Sequence, residues 1–333
     1  MNKIERVNAA ARGEPVDRVP ASMWGHSYLR EWQPEDVAQA MLENYHAYDC
    51  DYMKFNPRAS YHVEDWGAKL QPSGDANRGP SFLATPVQEQ GDWRRLRALD
   101  PSRGALGEQL QALRLIGNDL KGQAYFIHTI FSPLSVAKYL VGNKFEPVQT
   151  SIEDNPGALR QALEVITETF IAYAQATLEA GASGIFYATT GWASTDKLTQ
   201  DQYRAFGVDY DLRVIDAFKH APFNVLHNCG QHIMFDLLAD YPVHAISWAA
   251  TLPGNPDLAD GKTRTRKAVM GGISEKTTLL NDSPQQVADE AHAALELTGS
   301  QRFLLAPGCS IPPATPKANL EAIVQVVRGA SPT

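Results

Sequence analysis

Short runs of β-branched and other apolar residues recur along this chain. Between them lie stretches in which apolar residues fall three or four positions apart, and that alternation predicts a parallel sheet with helices packed on it. The runs are Val19 to Trp24, Asp51 to Asn56, Ala124 to Ile130, Gly184 to Ala188, Phe223 to Cys229, His244 to Ala249, Ala268 to Gly272 and Phe303 to Ala306. Eight strands are what close a (β/α)8 TIM-type barrel. The expected fold is therefore α/β, with an N-terminal helix ahead of the barrel and residues 1–333 forming one domain.

The intervening helices have their own signatures. Leu159, Leu163, Ile166, Phe170, Ala174 and Leu178 mark the buried face of a long amphipathic helix over Ala158 to Ala180, which Gly181 should end. Ser283-Pro284 and Thr315-Pro316 each place a capping hydroxyl before a proline at the first helical position, and Gly329 should close the last helix. Residues 57–123, between the second and third strands, are too many for a simple connection. They contain the polar stretch QPSGDANRGP, a short extended run near Leu83 to Gln88 and a helix near Leu106 to Ile116, and are read as an inserted lid.

Composition changes this picture little. A chain that is 44% hydrophobic and 20% charged can bury a large core. Thirty Lys and Arg against thirty-eight Asp and Glu give a net charge of −8, with no basic run, which argues against nucleic acid and anionic membrane surfaces as partners. The N-terminal stretch has no apolar core of a secretory signal, and no run reaches the length of a membrane span, so a cytoplasmic protein is expected. In a reducing compartment Cys50, Cys229 and Cys309 should be thiols. Cys50, just before the second strand, reads as a packed thiol.

The other two cysteines carry the candidate chemistry. In NVLHNCGQH, His227 and Cys229 are two apart at the end of the fifth predicted strand, so both side chains can face one point on the rim where barrel enzymes keep their active sites. Cys309, in APGCSIPP, follows the eighth strand onto the same rim. One imidazole and two thiolates favour zinc over magnesium or calcium, and three protein ligands leave a fourth position for substrate. Two thiolates also cancel the charge of Zn²⁺, so a substrate thiolate in the fourth position would keep its electron density. A His-x-Cys alone more often marks ordinary strand-end residues; Cys309 at the matching position is what shifts the balance. Asn228 should face the other way, and His232 reads equally as a cap or surface residue or as a partner holding one of the ligands from behind.

RGEPVDRVP, LHNCG, VMGGISEKTTLL with SPQQVADE, and PGCSIPPATPKANL together resemble the uroporphyrinogen decarboxylase superfamily over nearly the whole chain. Its two arms are metal-free decarboxylases and zinc-dependent methyltransferases that work with methylcorrinoids. His227, Cys229 and Cys309 match the zinc ligands of the second arm. The decarboxylase arm has an arginine-rich motif near the N-terminus and an aspartate near the second strand. Here VPASMWGHSYLR holds Arg30 alone, Asn56 stands where the acid is expected, and Gly308-Cys309-Ser310 replaces a Gly-His-Gly.

The resemblance thus implies transfer of a methyl group between a corrinoid and a thiol or a methylated oxygen, nitrogen or sulfur compound. The sequence has no cobalamin-binding signature, so a corrinoid (cobalamin) should arrive free or on a separate protein. The competing readings are a metal-independent decarboxylase and a non-catalytic zinc- or corrinoid-binding protein. Strand ends supply candidates for the substrate pocket: Trp24, His26, Asn56, His128, Tyr187, Trp192 and Trp248, with Arg58 and Ser274 nearby. His26 and His128 are the candidates for a general base or for binding a substrate oxygen.

Overall fold

Nine strands form in a computed structural model that describes residues 1–329: β1 Tyr52–Phe55, β2 Lys69–Gln71, β3 Ser81–Ala84, β4 Tyr125–Phe131, β5 Gly184–Ala188, β6 Val225–Asn228, β7 Ala245–Trp248, β8 Ala268–Ile273 and β9 Phe303–Pro307. All but β2 and β3 lie in one parallel sheet in the order β1-β4-β5-β6-β7-β8-β9. The pair β2 and β3 is a separate antiparallel hairpin.

The strand expected over Val19 to Trp24 does not form. Ala21 makes only an isolated parallel bridge to Leu305, and Gly25, just past the segment, makes another to Ile311. Pro20 is a physical reason, because it has no N–H to give to a ladder. Its carbonyl accepts from Leu305 N at 3.0 Å, while on the other side Asp51 N donates to the Ala21 carbonyl at 2.8 Å and Ser22 Oγ to the Tyr52 carbonyl at 2.7 Å. The segment therefore touches both edges of the sheet without pairing continuously with either. The result is an open, curled, distorted barrel in place of a regular eight-stranded one.

A buried carboxylate holds that segment in place. Asp51, 1% exposed, accepts from Arg6 Nη1 at 2.7 Å, Arg18 Nη1 at 2.6 Å and the Ala21 amide at 2.8 Å. Helix Lys3–Arg12, the crossing segment and the start of β1 are thus tied together. A buried charge is tolerable only when partnered in this way.

Alternate residues of the parallel strands divide the core in two. Tyr52, Ile127, Phe186, Val225, Ala245, Ala268, Met270, Leu304 and Ala306 form the small cluster inside the curl, with Val7 and Trp24. Their strand neighbours pack outward against the helices in the larger cluster. Further along β1, β4, β6 and β7 the inward set turns polar: Lys54, Thr129, His227 and Ser247 take the same parity.

The long helix runs Pro156–Glu179, and Gly181 after it has φ +104°. Ser283 caps helix Pro284–Thr298 with a reciprocal Gln286 bond, as its sequence indicated. Thr315 differs from expectation. Helix Lys317–Val327 begins after Pro316, and the Thr315 hydroxyl makes no capping bond. Within residues 57–123, helix Gly104–Leu120 packs on helices Pro34–Ala47 and Pro156–Glu179 through Leu106, Leu110, Leu113 and Ile116, so this part belongs to the helical layer. The hairpin end lies at the rim, with Gly79 against the Tyr28 ring. Among the described residues no helix is long and apolar enough to cross a membrane.

Candidate metal centre and its cavity

Chain ends that leave strands at one rim bring distant residues together. His227 is the third residue of β6 and Cys229 follows the strand directly, with Gly230 at φ +98° turning the chain away. Cys309 sits in the loop after β9. That loop is fixed on both sides, by Gly308 N donating to the Ile273 carbonyl at 2.9 Å and Ile311 N to the Trp24 carbonyl at 2.9 Å. One ligand atom each from His227, Cys229 and Cys309 lies within 4.8 Å of the other two. The two sulfurs are 3.9 Å apart.

The imidazole is oriented from behind. Its Nδ1 pairs with Ser247 Oγ at 3.1 Å, and its ring stacks on Phe186 with centroids 5.1 Å apart, which leaves Nε2 for the cluster. The hydrogen bond between the sulfurs lowers the Cys229 thiol to about 7, against the cost of burial and with help from the Lys138 ammonium. That same bond, with burial, raises Cys309 well above the thiol range. Together the pair gives up one proton readily. A donor set of one nitrogen and two sulfurs, with the second imidazole nitrogen held by a hydroxyl, fits a tetrahedral zinc with one open position.

The cluster opens into a cavity of about 240 Å³ whose wall includes Trp24, His26 and Asn56, three of the residues expected there. His26 pairs with the buried Glu31 at 2.8 Å and stacks on Tyr28. A second cavity of about 380 Å³, on the outer side of Trp24 and His26, shares those two residues as its wall.

Four other expected residues are placed elsewhere. His128 points outward, its Nε2 bonded to the Tyr61 and Tyr173 hydroxyls at 3.1 and 2.9 Å. Tyr187 also faces the helices and donates to Asp211 at 2.8 Å. Trp248 donates to the Pro256 carbonyl at 2.8 Å and packs on Phe235. Trp192 is buried with its ring edge on Phe145 and is not part of the cavity wall. Arg58 is held by Glu64 and Glu108, and Arg30 by Glu43. Cys50 is a buried thiol, pushed up to about 11 by desolvation.

On β4 and β5 the cavity takes the neighbours of the expected residues: Thr129 instead of His128, and Phe186 instead of Tyr187. On β7 the residue that supports the site is Ser247, beside Trp248. Sequence reasoning also missed Lys54 and Lys138, both on the wall and both buried. Burial lowers their ammonium groups to about 7 and about 8. The signal for Lys54 was there to find: a lysine inside an apolar strand, two before Asn56 and so on the same face.

Comparison with known proteins agrees with this architecture. The family model described as uroporphyrinogen decarboxylase (URO-D) matches residues 2–330. A methylcobamide:CoM methyltransferase, MtaA, of Methanosarcina barkeri is 29% identical over 335 residues, 96% of this chain and 95% of the relative. A uroporphyrinogen decarboxylase of Serratia proteamaculans is 26% identical over 269 residues, 77% of this chain and 73% of the relative. Among solved structures, a methyltransferase from Methanosarcina mazei superposes with a TM-score of 0.84 at 26% identity, covering 99% of each chain.

Proposed function

The chain belongs to the uroporphyrinogen decarboxylase family, and from that membership we propose that it is a zinc-dependent methyltransferase moving a methyl group between a corrinoid and a thiol or a methylated oxygen, nitrogen or sulfur compound. The observation that carries this reading is the convergence of His227, Cys229 and Cys309, with ligand atoms within 4.8 Å of one another. These three residues would hold the metal. Zinc bound there would bring the substrate heteroatom into its fourth position and keep a thiol deprotonated at neutral pH.

The chain's own residues do the rest. Ser247 and Phe186 fix the ring plane of His227. Trp24, Phe186 and Phe131 supply apolar wall that keeps water from the reacting centre. The corrinoid comes free or on a partner protein, at the rim above the cavity. In this family setting a decarboxylase would need an arginine-rich clamp for the substrate's many carboxylates, yet Arg30 and Arg58 are already paired with glutamates and only Lys54 and Lys138 stand on the cavity wall. That pairing favours the methyltransferase reading.

The test is metal content by plasma mass spectrometry on freshly purified protein, beside Cys309→Ser, followed by methyl transfer between methylcobalamin and small thiols. About one zinc per chain in the wild type, lost or greatly weakened in the variant together with transfer, is the expected result. A folded wild type that refuses added zinc would end this assignment and leave the metal-free decarboxylase to be tested with uroporphyrinogen.

A further inference from the structure

One side chain lies between the two stretches of chain that present the sulfurs. Asn255 sits in the loop after β7, and its amide is fully used. Its Nδ2 donates to the Gly230 carbonyl at 2.9 Å and to the Ala249 carbonyl at 2.9 Å, while its Oδ1 accepts from Ile233 N at 3.2 Å. A flipped amide would set an oxygen against two carbonyls, so the network fixes its orientation. Gly230 follows Cys229 directly. Ala249 is the residue that Gly308 passes, close enough that a Cβ on Gly308 would stand 2.9 Å from Ala249 Cα, and Gly308 precedes Cys309. Asn255 thus joins the chain beside one cysteine to the residue that backs the other.

The loop carrying Cys229 needs such a tie. It takes two left-handed residues in quick succession, Gly230 at φ +98° and His232 at φ +48°. A non-glycine residue in that region persists only where its surroundings hold it. From the side of β5, Ser194 Oγ donates to the Gln231 carbonyl at 2.7 Å, Thr195 N donates to the His232 carbonyl at 3.0 Å, and Asp196 pairs with the His232 ring at 2.9 Å. Those contacts fix residues 231 and 232, further from the sulfur. The Gly230 carbonyl is held by Asn255. An asparagine that merely capped its own loop would bond locally, whereas two of these partners lie 25 and 22 residues back in the chain.

We propose that Asn255 is a positioning residue that sets the separation of the Cys229 and Cys309 sulfurs. They stand 3.9 Å apart, and Zn–S bonds of about 2.3 Å in a tetrahedron place two sulfurs about 3.8 Å apart. The two amide hydrogens of Asn255 draw the Gly230 and Ala249 carbonyls towards one nitrogen. An aspartate there would keep the Ile233 bond but turn negative oxygen on both carbonyls and push the loops apart. What the spacing is for rests on the zinc reading above; the spacing itself does not.

The probe is phenylarsine oxide on reduced, metal-free protein. It takes two neighbouring thiols, forming two As–S bonds and releasing one water with no change of oxidation state, so it reads sulfur spacing without zinc. Cys50 is buried and out of its reach. Affinity is measured by competition with a small dithiol. Each protein is also titrated with zinc against a chelator, and with Co²⁺, whose charge-transfer and d–d bands report thiolate number and geometry. The wild type should take a single arsenical that blocks Cys229 and Cys309. Asn255→Ala and Asn255→Asp should bind it about tenfold or more weakly and lose zinc affinity to a similar degree, with shifted Co²⁺ bands and unchanged far-UV circular dichroism. Asp196→Ala, which frees the loop on its other side, should keep the wild-type arsenical affinity and Co²⁺ bands.

Wild-type arsenical affinity in either Asn255 variant overturns the proposal. So does an equal loss in Asp196→Ala, which would make general loosening of the loop the cause. A wild type that captures no arsenical overturns it too, because the sulfurs are then not held together. Unfolding of both Asn255 variants would likewise assign the residue to the fold at large. If the arsenical is captured by the wild type and lost in the variants while neither zinc nor Co²⁺ binds, the positioning role stands and the zinc reading fails.

Discussion

At the residue scale, Asp211 is a buried carboxyl whose protonation couples to folding. It is fully buried on the helix side of β5, accepting from the hydroxyls of Tyr187 at 2.8 Å, Tyr203 at 2.7 Å and Tyr241 at 3.0 Å, with no cation among its bonded partners. Burial raises its carboxyl to about 7, against the three hydrogen bonds, from an ordinary value of 3.8. The folded chain therefore binds more protons here than the unfolded chain between those two values. The stability this group contributes is whole below pH ~4 and is lost as pH rises through about 7, on the order of 4 kcal/mol if the full shift is expressed. Buried His62 and His128 are held neutral and act in the opposite sense over this range, so the Asp211 contribution is read from the variant: between pH 5 and pH 8, urea unfolding should show Asp211→Asn gaining stability relative to the wild type. An unchanged slope in the variant would remove Asp211 as a source of pH dependence.

Elements, not single residues, decide whether the cluster assembles. The loop after β9 holds Cys309 in register, and Gly308 lets it pass close to the end of β7. A Cβ on Gly308 would stand 2.9 Å from Ala249 Cα and 3.0 Å from both Ala249 Cβ and Glu275 Oε2, so Gly308→Ala must shift the loop. The expected outcome is a fall of about tenfold or more in zinc affinity with all three ligands still present, measured by competition with a chromophoric chelator. Wild-type affinity in that variant would mean the loop is not what positions Cys309. Strand parity works at the same scale. His227 was legible because His-x-Cys carries its own alternation, and Trp24, His26 and Asn56 because they lie at strand ends and rim turns. His128, Tyr187 and Trp248 were assigned to the pocket from position along the strand alone, and each lies one residue off the inward face.

For the whole molecule, metal and fold should be linked. The three candidate ligands come from the end of β6 and the loop after β9, 80 residues apart in sequence, so the unfolded chain presents no preformed site, and zinc would bind the native state preferentially. At a free zinc of 100 times its dissociation constant the gain is about 2.7 kcal/mol, on the order of 4 °C for a chain of this length. Differential scanning calorimetry should show that loss on chelation, recovery with zinc, and neither change in Cys309→Ser. An identical melting temperature with and without chelator would place the metal outside the fold's energetics.

The order of strands and helices, the long helix ending near Gly181, the Ser283 cap and the His227, Cys229 and Cys309 set were determined by the sequence itself, since each rests on local periodicity, capping chemistry or ligand type. Tertiary structure alone decided that Val19 to Trp24 bridges two sheet edges without becoming a strand. It also decided that Lys54, Lys138 and Phe186 form the cavity wall while His128 and Tyr187 turn to the helices. The reason is physical: strands of a parallel α/β sheet are buried on both faces, so a period of two tells which residues share a face but not which face is concave.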